Sequence, residues 1–120
     1  MISGLVRLMV SSQKMRIFAK ISIAMFIFKL TYKKPLTEVD RFLAAHREFL
    51  DRFYKAGKLV ASGPREPRVG GVILCNAATE AEAREIIAQD PFFVEDVAEY
   101  EVVQFHATKH NVDNFLGGIE

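Results

Sequence analysis

From Met25 onward the spacing of apolar residues changes period in a fixed order, and that order constrains the fold more than any single motif. Phe26, Phe28, Leu30 and Tyr32 alternate with Ile27, Lys29 and Thr31, the period of two that belongs to a strand. Val39, Phe42, Leu43, Phe49, Leu50 and Phe53 then recur at three-and-four spacing, which makes one face of a helix. Lys33-Lys34-Pro35 separates the two segments, Thr37 is the expected N-cap, and Gly57 supplies a left-handed residue to end the helix. Lys58 to Ser62 reads as a short second strand stopped by Gly63-Pro64. Gly70-Gly71 leads into Val72-Ile73-Leu74-Cys75, apolar on both faces, as a central strand is. Thr79 with Glu82 forms a capping box for a second helix whose inner face is Ala83, Ile86 and Ile87. That helix must end near Asp90, because Pro91 disfavours the helical conformation in the residue before it. Phe92 to Val97 allow one more helical turn. Glu99 to His106 make the last strand, with Val103 and Phe105 on one face and Val102 and Gln104 on the other.

The order is therefore β-α-β-β-α-β, an α+β, ferredoxin-like pattern with an antiparallel sheet. Two helices cover one sheet face. Ile27 beside Phe28 and Ile73 beside Leu74 make the other face apolar too, so the sequence predicts a homodimer that closes an α+β barrel. The 120 residues suit one domain, expected at 25–108 and followed by a polar tail at 109–120. Residues 1–24 carry Arg7, Lys14, Arg16 and Lys20 and no acid, a composition shared with transit peptides. Because Met25 opens the first patterned strand, we expect the native start there and residues 1–24 to be a disordered or non-native extension.

A net charge of +1 gives no case for nucleic acid, and no apolar run approaches the roughly 20 residues of a membrane-spanning helix. A single cysteine, Cys75, excludes an internal disulfide and suits a reducing compartment such as the cytoplasm. The chain lacks a phosphate loop, a dinucleotide fingerprint, HExxH and CxxC. The expectation is a site with neither metal nor cofactor.

One polar residue stands out. At about 100° per residue, His46 falls within the apolar stripe of the first helix. A histidine aimed at a core needs a hydrogen-bond partner or has work to do there, and the satisfied core histidine is the commoner case. Connectivity indicates what it meets. Strand one and strand two both end at one edge of the fold, at Tyr32 and Ser62. Strand three runs back, and the second helix returns to the same edge at Asp90. His46 lies about 12 Å into its helix at 1.5 Å per residue, so Tyr32, Ser62, His46 and Asp90 gather at one end, as in a small active site. Each has a plainer role: Asp90 as a helix stop, Ser62 as turn chemistry, Tyr32 as packing, Cys75 as inert core. Arg65 and Arg68 either hold an anionic substrate or are solvated loop residues.

His46 with Phe49-Leu50, Gly57-Lys58-Leu59, Ser62-Gly63-Pro64, Gly70-Gly71, Asp90-Pro91-Phe92 and Tyr100-Glu101 together resemble the YCII-related (YciI-like) family, over Met25 to His106. The resemblance implies a dimeric ferredoxin-like barrel, similar in build to muconolactone isomerase, with a histidine-aspartate pair in its pocket. By position that pair is His46 and Asp90, with Ser62 as a lesser candidate. Some members carry an arginine three residues before the histidine. This chain has Leu43 there, with Arg41 on the opposite helix face, so that role does not carry over. A few members resemble a dehydrochlorinase of chlorinated hydroxyhydroquinone, which implies acid–base chemistry.

Two functional readings result. In the first, the protein is a lyase or isomerase in which Asp90 orients His46, His46 moves a proton on a small cyclic or aromatic molecule, and Ser62 assists. Tyr32, Arg65 and Phe49 would contact the substrate, with Phe28 and Phe53 as further apolar walls. In the second, the same pocket is a non-catalytic small-ligand-binding module, and His46 only donates a hydrogen bond.

Overall fold

The computed structural model describes residues 23–111, of which residues 24–105 form one compact unit. The expectations for the N-terminal extension and for most of the C-terminal tail lie outside the described residues. Strand β1 spans Ile23–Tyr32, and two helical segments follow, α1 at Leu36–Arg41 and α2 at Leu43–Lys55. Strands β2 (Leu59–Pro64) and β3 (Gly70–Cys75) form a hairpin. Helix α3 (Glu80–Ile87), the short helix α4 (Pro91–Val94) and strand β4 (Ala98–Ala107) complete the described chain. The sheet order is β2-β3-β1-β4, the α+β, ferredoxin-like arrangement that the order of periods predicts.

Four local expectations meet different outcomes. The first helix is broken at Phe42, whose φ of −105° and ψ of 5° leave the helical region. The chain turns there on a bond from Phe42 N–H to the Val39 carbonyl. Pro35, not Thr37, is the N-cap, and it has no side chain to accept a cap bond. Its carbonyl accepts the Glu38 and Val39 amides at 2.9 and 3.1 Å, and its ring fixes φ at −61° for the entry to the helix. At the other end, Gly57 does take φ +76°. Thr79 caps its helix as expected, its Oγ1 accepting from Glu82 N–H at 3.1 Å, while the return bond of the box is shifted by one residue: Glu82 accepts from the Ala78 amide at 2.8 Å.

The core lies between the helices and one sheet face. Phe26, Phe28 and Leu30 of β1, Ile73 and Cys75 of β3, and Phe49, Ile86, Ile87 and Phe92 of the helices are all buried. Each large side chain of this kind contributes about 1.5–3 kcal/mol by leaving water. The β1–β3 register pairs Phe28 with Ile73 and Leu30 with Gly71. Gly70 is required by proximity: a Cβ there would lie 1.8 Å from the Leu30 carbonyl oxygen. On the opposite face, Val72, Val103 and Phe105 are 39%, 46% and 39% exposed.

The β2–β3 ladder contains an irregularity with consequences for the site. Leu59 pairs with Cys75, but Ala61 pairs with Leu74 and Ser62 with Ile73, so the register shifts by one residue between Leu59 and Ala61. An uninterrupted antiparallel ladder would set Ser62 opposite Val72, on the exposed face. The bulge sets it opposite Ile73, on the helix-covered face, because a one-residue slip exchanges the two sides of a strand.

Candidate functional site

Asp90 is fully buried, at 0% exposure. It caps α4, with Pro91 at the first helical position, and its Oδ1 accepts the Phe92 amide at 3.0 Å. The same oxygen lies 2.8 Å from Nδ1 of His46, and Oδ2 accepts a short hydrogen bond from the Tyr100 hydroxyl. Three groups thus converge on one carboxylate, which is how a buried acid is made tolerable. A carboxylate only accepts, so this arrangement assigns the Nδ1 proton to His46. Burial, with the neighbouring Asp90 charge and the hydrogen bond to it, pushes the Tyr100 hydroxyl far above its ordinary pKa, and it stays a donor.

The histidine is held on its faces as well. Its ring stacks on Phe92 with centroids 4.1 Å apart and planes 5° from parallel, and Phe49 lies 6.0 Å away. Tyr32 stands edge-on to Phe92 at 6.0 Å, and Phe28 edge-on to Tyr100 at 5.9 Å. The His46 side chain is 12% exposed, and Nε2 has no hydrogen-bond partner among the described residues. The ring therefore has one nitrogen fixed by Asp90 and one left free.

His46 lines a cleft of about 440 Å³ between α1–α2 and the sheet. Helix α2 presents Leu43, His46, Arg47 and Leu50 to it at three-and-four spacing. Leu30, Tyr32, Ile73 and Phe92 supply its floor, and Asp40, Ser62, Pro64 and Arg68 also line it. Ser62 is further engaged by the Tyr54 hydroxyl at 2.7 Å. Arg68 donates to Asp40 at 2.6 Å, joining the hairpin to α1.

The residues singled out in the sequence thus fall into two groups. The structure brings His46, Asp90, Ser62 and Tyr32 to the same end of the fold, and all but the fully covered Asp90 line the cleft. Phe49 lies elsewhere: it occupies the centre of the buried α2 stripe, behind His46, and it does not line the cleft. Phe28 likewise belongs to the core. Arg65 turns away, donating to Thr31 Oγ1 at 2.9 Å and to the Leu30 carbonyl at 3.3 Å. The arginine of that loop that reaches the cleft is Arg68. Tyr100 is the site residue that residue patterning overlooked. Its alternation with Val102 on the inward side of β4 was the available signal, since a buried tyrosine needs a partner for its hydroxyl. Among the described residues no three His, Cys, Asp or Glu side chains gather as metal ligands would, and no helix is long and apolar enough to cross a membrane.

No curated protein matches the chain significantly. Among solved structures, a similar one is the 5-chloro-2-hydroxyhydroquinone dehydrochlorinase of Burkholderia phenoliruptrix, in complex with 2,5-dihydroxybenzoquinone. It is 18% identical, with a TM-score of 0.60 over 72% of this chain and 95% of that one, a likeness of fold. The family model described as the YCII-related domain matches residues 25–106, a span that contains every residue of the cleft and of the His46–Asp90–Tyr100 cluster, and the chain belongs to that family.

Proposed function

We propose that this protein is an acid–base catalyst of the lyase or isomerase type acting on a small cyclic or aromatic molecule, with His46 and Asp90 as its working pair. The observation that carries the reading is the 2.8 Å contact between Nδ1 of the cleft-lining His46 and the buried Asp90, which leaves the other ring nitrogen unpartnered among the described residues. Nε2 takes a proton from the bound molecule, Asp90 offsets the imidazolium charge, and the face of Phe92 favours that same charge. For loss of hydrogen chloride from a ring, the proton goes to Nε2 and chloride leaves with the electron pair of its bond to carbon. For an isomerisation, the same proton returns at another atom. Ser62 and Tyr32 line the cleft and offer hydroxyls to orient oxygen substituents. The dehydrochlorinase of like fold acts on a hydroxylated ring, which supports the substrate class.

The test is turnover of 5-chloro-2-hydroxyhydroquinone and related hydroxylated rings, followed by chloride release and ring absorbance. His46→Ala should reduce turnover about 10²–10⁴-fold, the usual contribution of a positioned base. Tight binding by the wild-type protein without turnover of any such compound would instead favour the ligand-binding module.

The assembly is part of the same reading. A homodimer would cover Val72, Val103 and Phe105, together with Ile27 and Leu74 beside them. A clean monomer in sedimentation at micromolar concentration would refute it. The buried cysteine, whose thiol burial pushes up, suits a reducing compartment such as the cytoplasm.

A further inference from the structure

The cleft is less neutral than its apolar floor suggests. Two arginines line it, Arg47 from α2 and Arg68 from the β2–β3 hairpin, against a single acid, Asp40. Their situations differ. Arg68 is already held by Asp40 at 2.6 Å through one terminal nitrogen, with the Tyr32 hydroxyl as a weaker second partner. A guanidinium has five N–H donors, so this bond fixes its position and leaves donors over. Arg47 follows His46 directly and lines the cleft without a hydrogen-bond or ion-pair partner among the described residues. A cation held at a cleft wall by one carboxylate, and a second with no partner beside the base, form a place for an anionic substituent.

We propose that this cleft selects ring compounds carrying a carboxylate, and that Arg47 and Arg68 bind that group while the ring lies against Leu30, Ile73 and His46. The proposal rests on the reading of the cleft as the substrate site and deepens it by naming the substrate class. Asp40 has a double effect: it positions Arg68, and it competes with the ligand carboxylate for the same guanidinium. Arginine suits the task because its planar fork matches a carboxylate in two parallel bonds. Such charge-assisted bonds at a partly exposed wall correspond to about tenfold in affinity.

The experiment compares 2,5-dihydroxybenzoate with 1,4-dihydroxybenzene, which differ only in the carboxylate, by titration calorimetry on the full chain. The carboxylated ring should bind about tenfold more tightly, and the preference should shrink as salt rises. Arg47→Gln and Arg68→Gln should each remove most of the preference for the acid over 1,4-dihydroxybenzene. Asp40→Asn should strengthen binding of the acid a few-fold, an outcome that a purely structural Asp40–Arg68 pair would not give. Arg84→Gln, on the outer face of α3 and paired with Glu80, is the control and should alter neither ligand. His46→Gln should keep the carboxylate preference, so a protein that binds the acid selectively but turns nothing over supports the anion site and refutes only the acid–base reading. Equal binding of the two compounds, including no binding of either at millimolar concentration, overturns the proposal, as does a preference untouched in the Arg47→Gln, Arg68→Gln double variant.

Discussion

Helix α4 is bracketed by two aspartates, and they have opposite fates. Asp90, at its start, is fully buried and receives His46, Tyr100 and the Phe92 amide. Asp96, just past its end, is exposed, stands at φ +58°, and pairs with Lys33 at 2.5 Å. By distance alone the Lys33–Asp96 pair, at 2.5 Å, outranks the 2.8 Å contact between His46 and Asp90. In free energy the order is reversed, because water solvates an exposed pair almost as well when it is separated, while nothing replaces a donor lost inside the core. The contrast teaches that the worth of a polar contact here is set by what would take its place.

The largest effect should come from Asp90→Ala, which strands three buried or half-buried partners at once. We expect a loss of about 3–5 kcal/mol in urea unfolding, because several covered donors lose their acceptor at about 1–3 kcal/mol each, together with loss of turnover. If stability falls by no more than it does for an exposed pair, the contrast between the two aspartates is wrong. His46→Ala should cost less stability, because Asp90 keeps two donors, yet lower turnover by the full factor of about 10²–10⁴. The His46→Ala, Asp90→Ala double variant should lose little further activity, since the two residues act as one unit.

Tyr100→Phe comes next. It removes one donor from Asp90 and should cost about 1–2 kcal/mol, with turnover reduced because Asp90 orients the base less firmly. The same tyrosine gives a pH signature. Its folded pKa is raised by burial and by Asp90, so the unfolded chain releases this proton first. The stabilisation is fully present below the unfolded value of about 10 and is lost as pH climbs above it. Wild-type stability should therefore fall at alkaline pH more steeply than that of Tyr100→Phe, and matching alkaline slopes would remove Tyr100 from the cluster.

The smallest effect belongs to the surface pair. Lys33→Ala should leave the melting temperature almost unchanged at physiological salt. Lys33 holds the Asp96 carboxyl below the usual carboxylate range. Whatever the pair does contribute is present above the unfolded aspartate value of about 3.9 and is lost as pH falls through the lower folded value. A clear drop in melting temperature at neutral pH would narrow the contrast between the two ends of α4.

The sequence by itself determined the element order, the antiparallel sheet and the gathering of His46 and Asp90 at one end. Those follow from apolar period and from punctuation by Pro35, Gly57 and Pro91, which act within a few residues and need no partner. Only the tertiary structure decided which groups complete the site. The bulge between Leu59 and Ala61 turns Ser62 to the cleft, yet nothing in Leu-Val-Ala-Ser announces it, because register is a property of two strands together. Arg65 and Arg68 are alike in the chain, and the neighbours each can reach, Thr31 for one and Asp40 for the other, separate them. Phe49 and His46 share one helical stripe three residues apart, but the seat of α2 on the sheet sends one into the core and the other to the cleft. Tyr100 meets Asp90 from a strand ten residues further on. Local patterning states which side chains face inward, whereas the partner each finds there is fixed only when separate elements pack against one another.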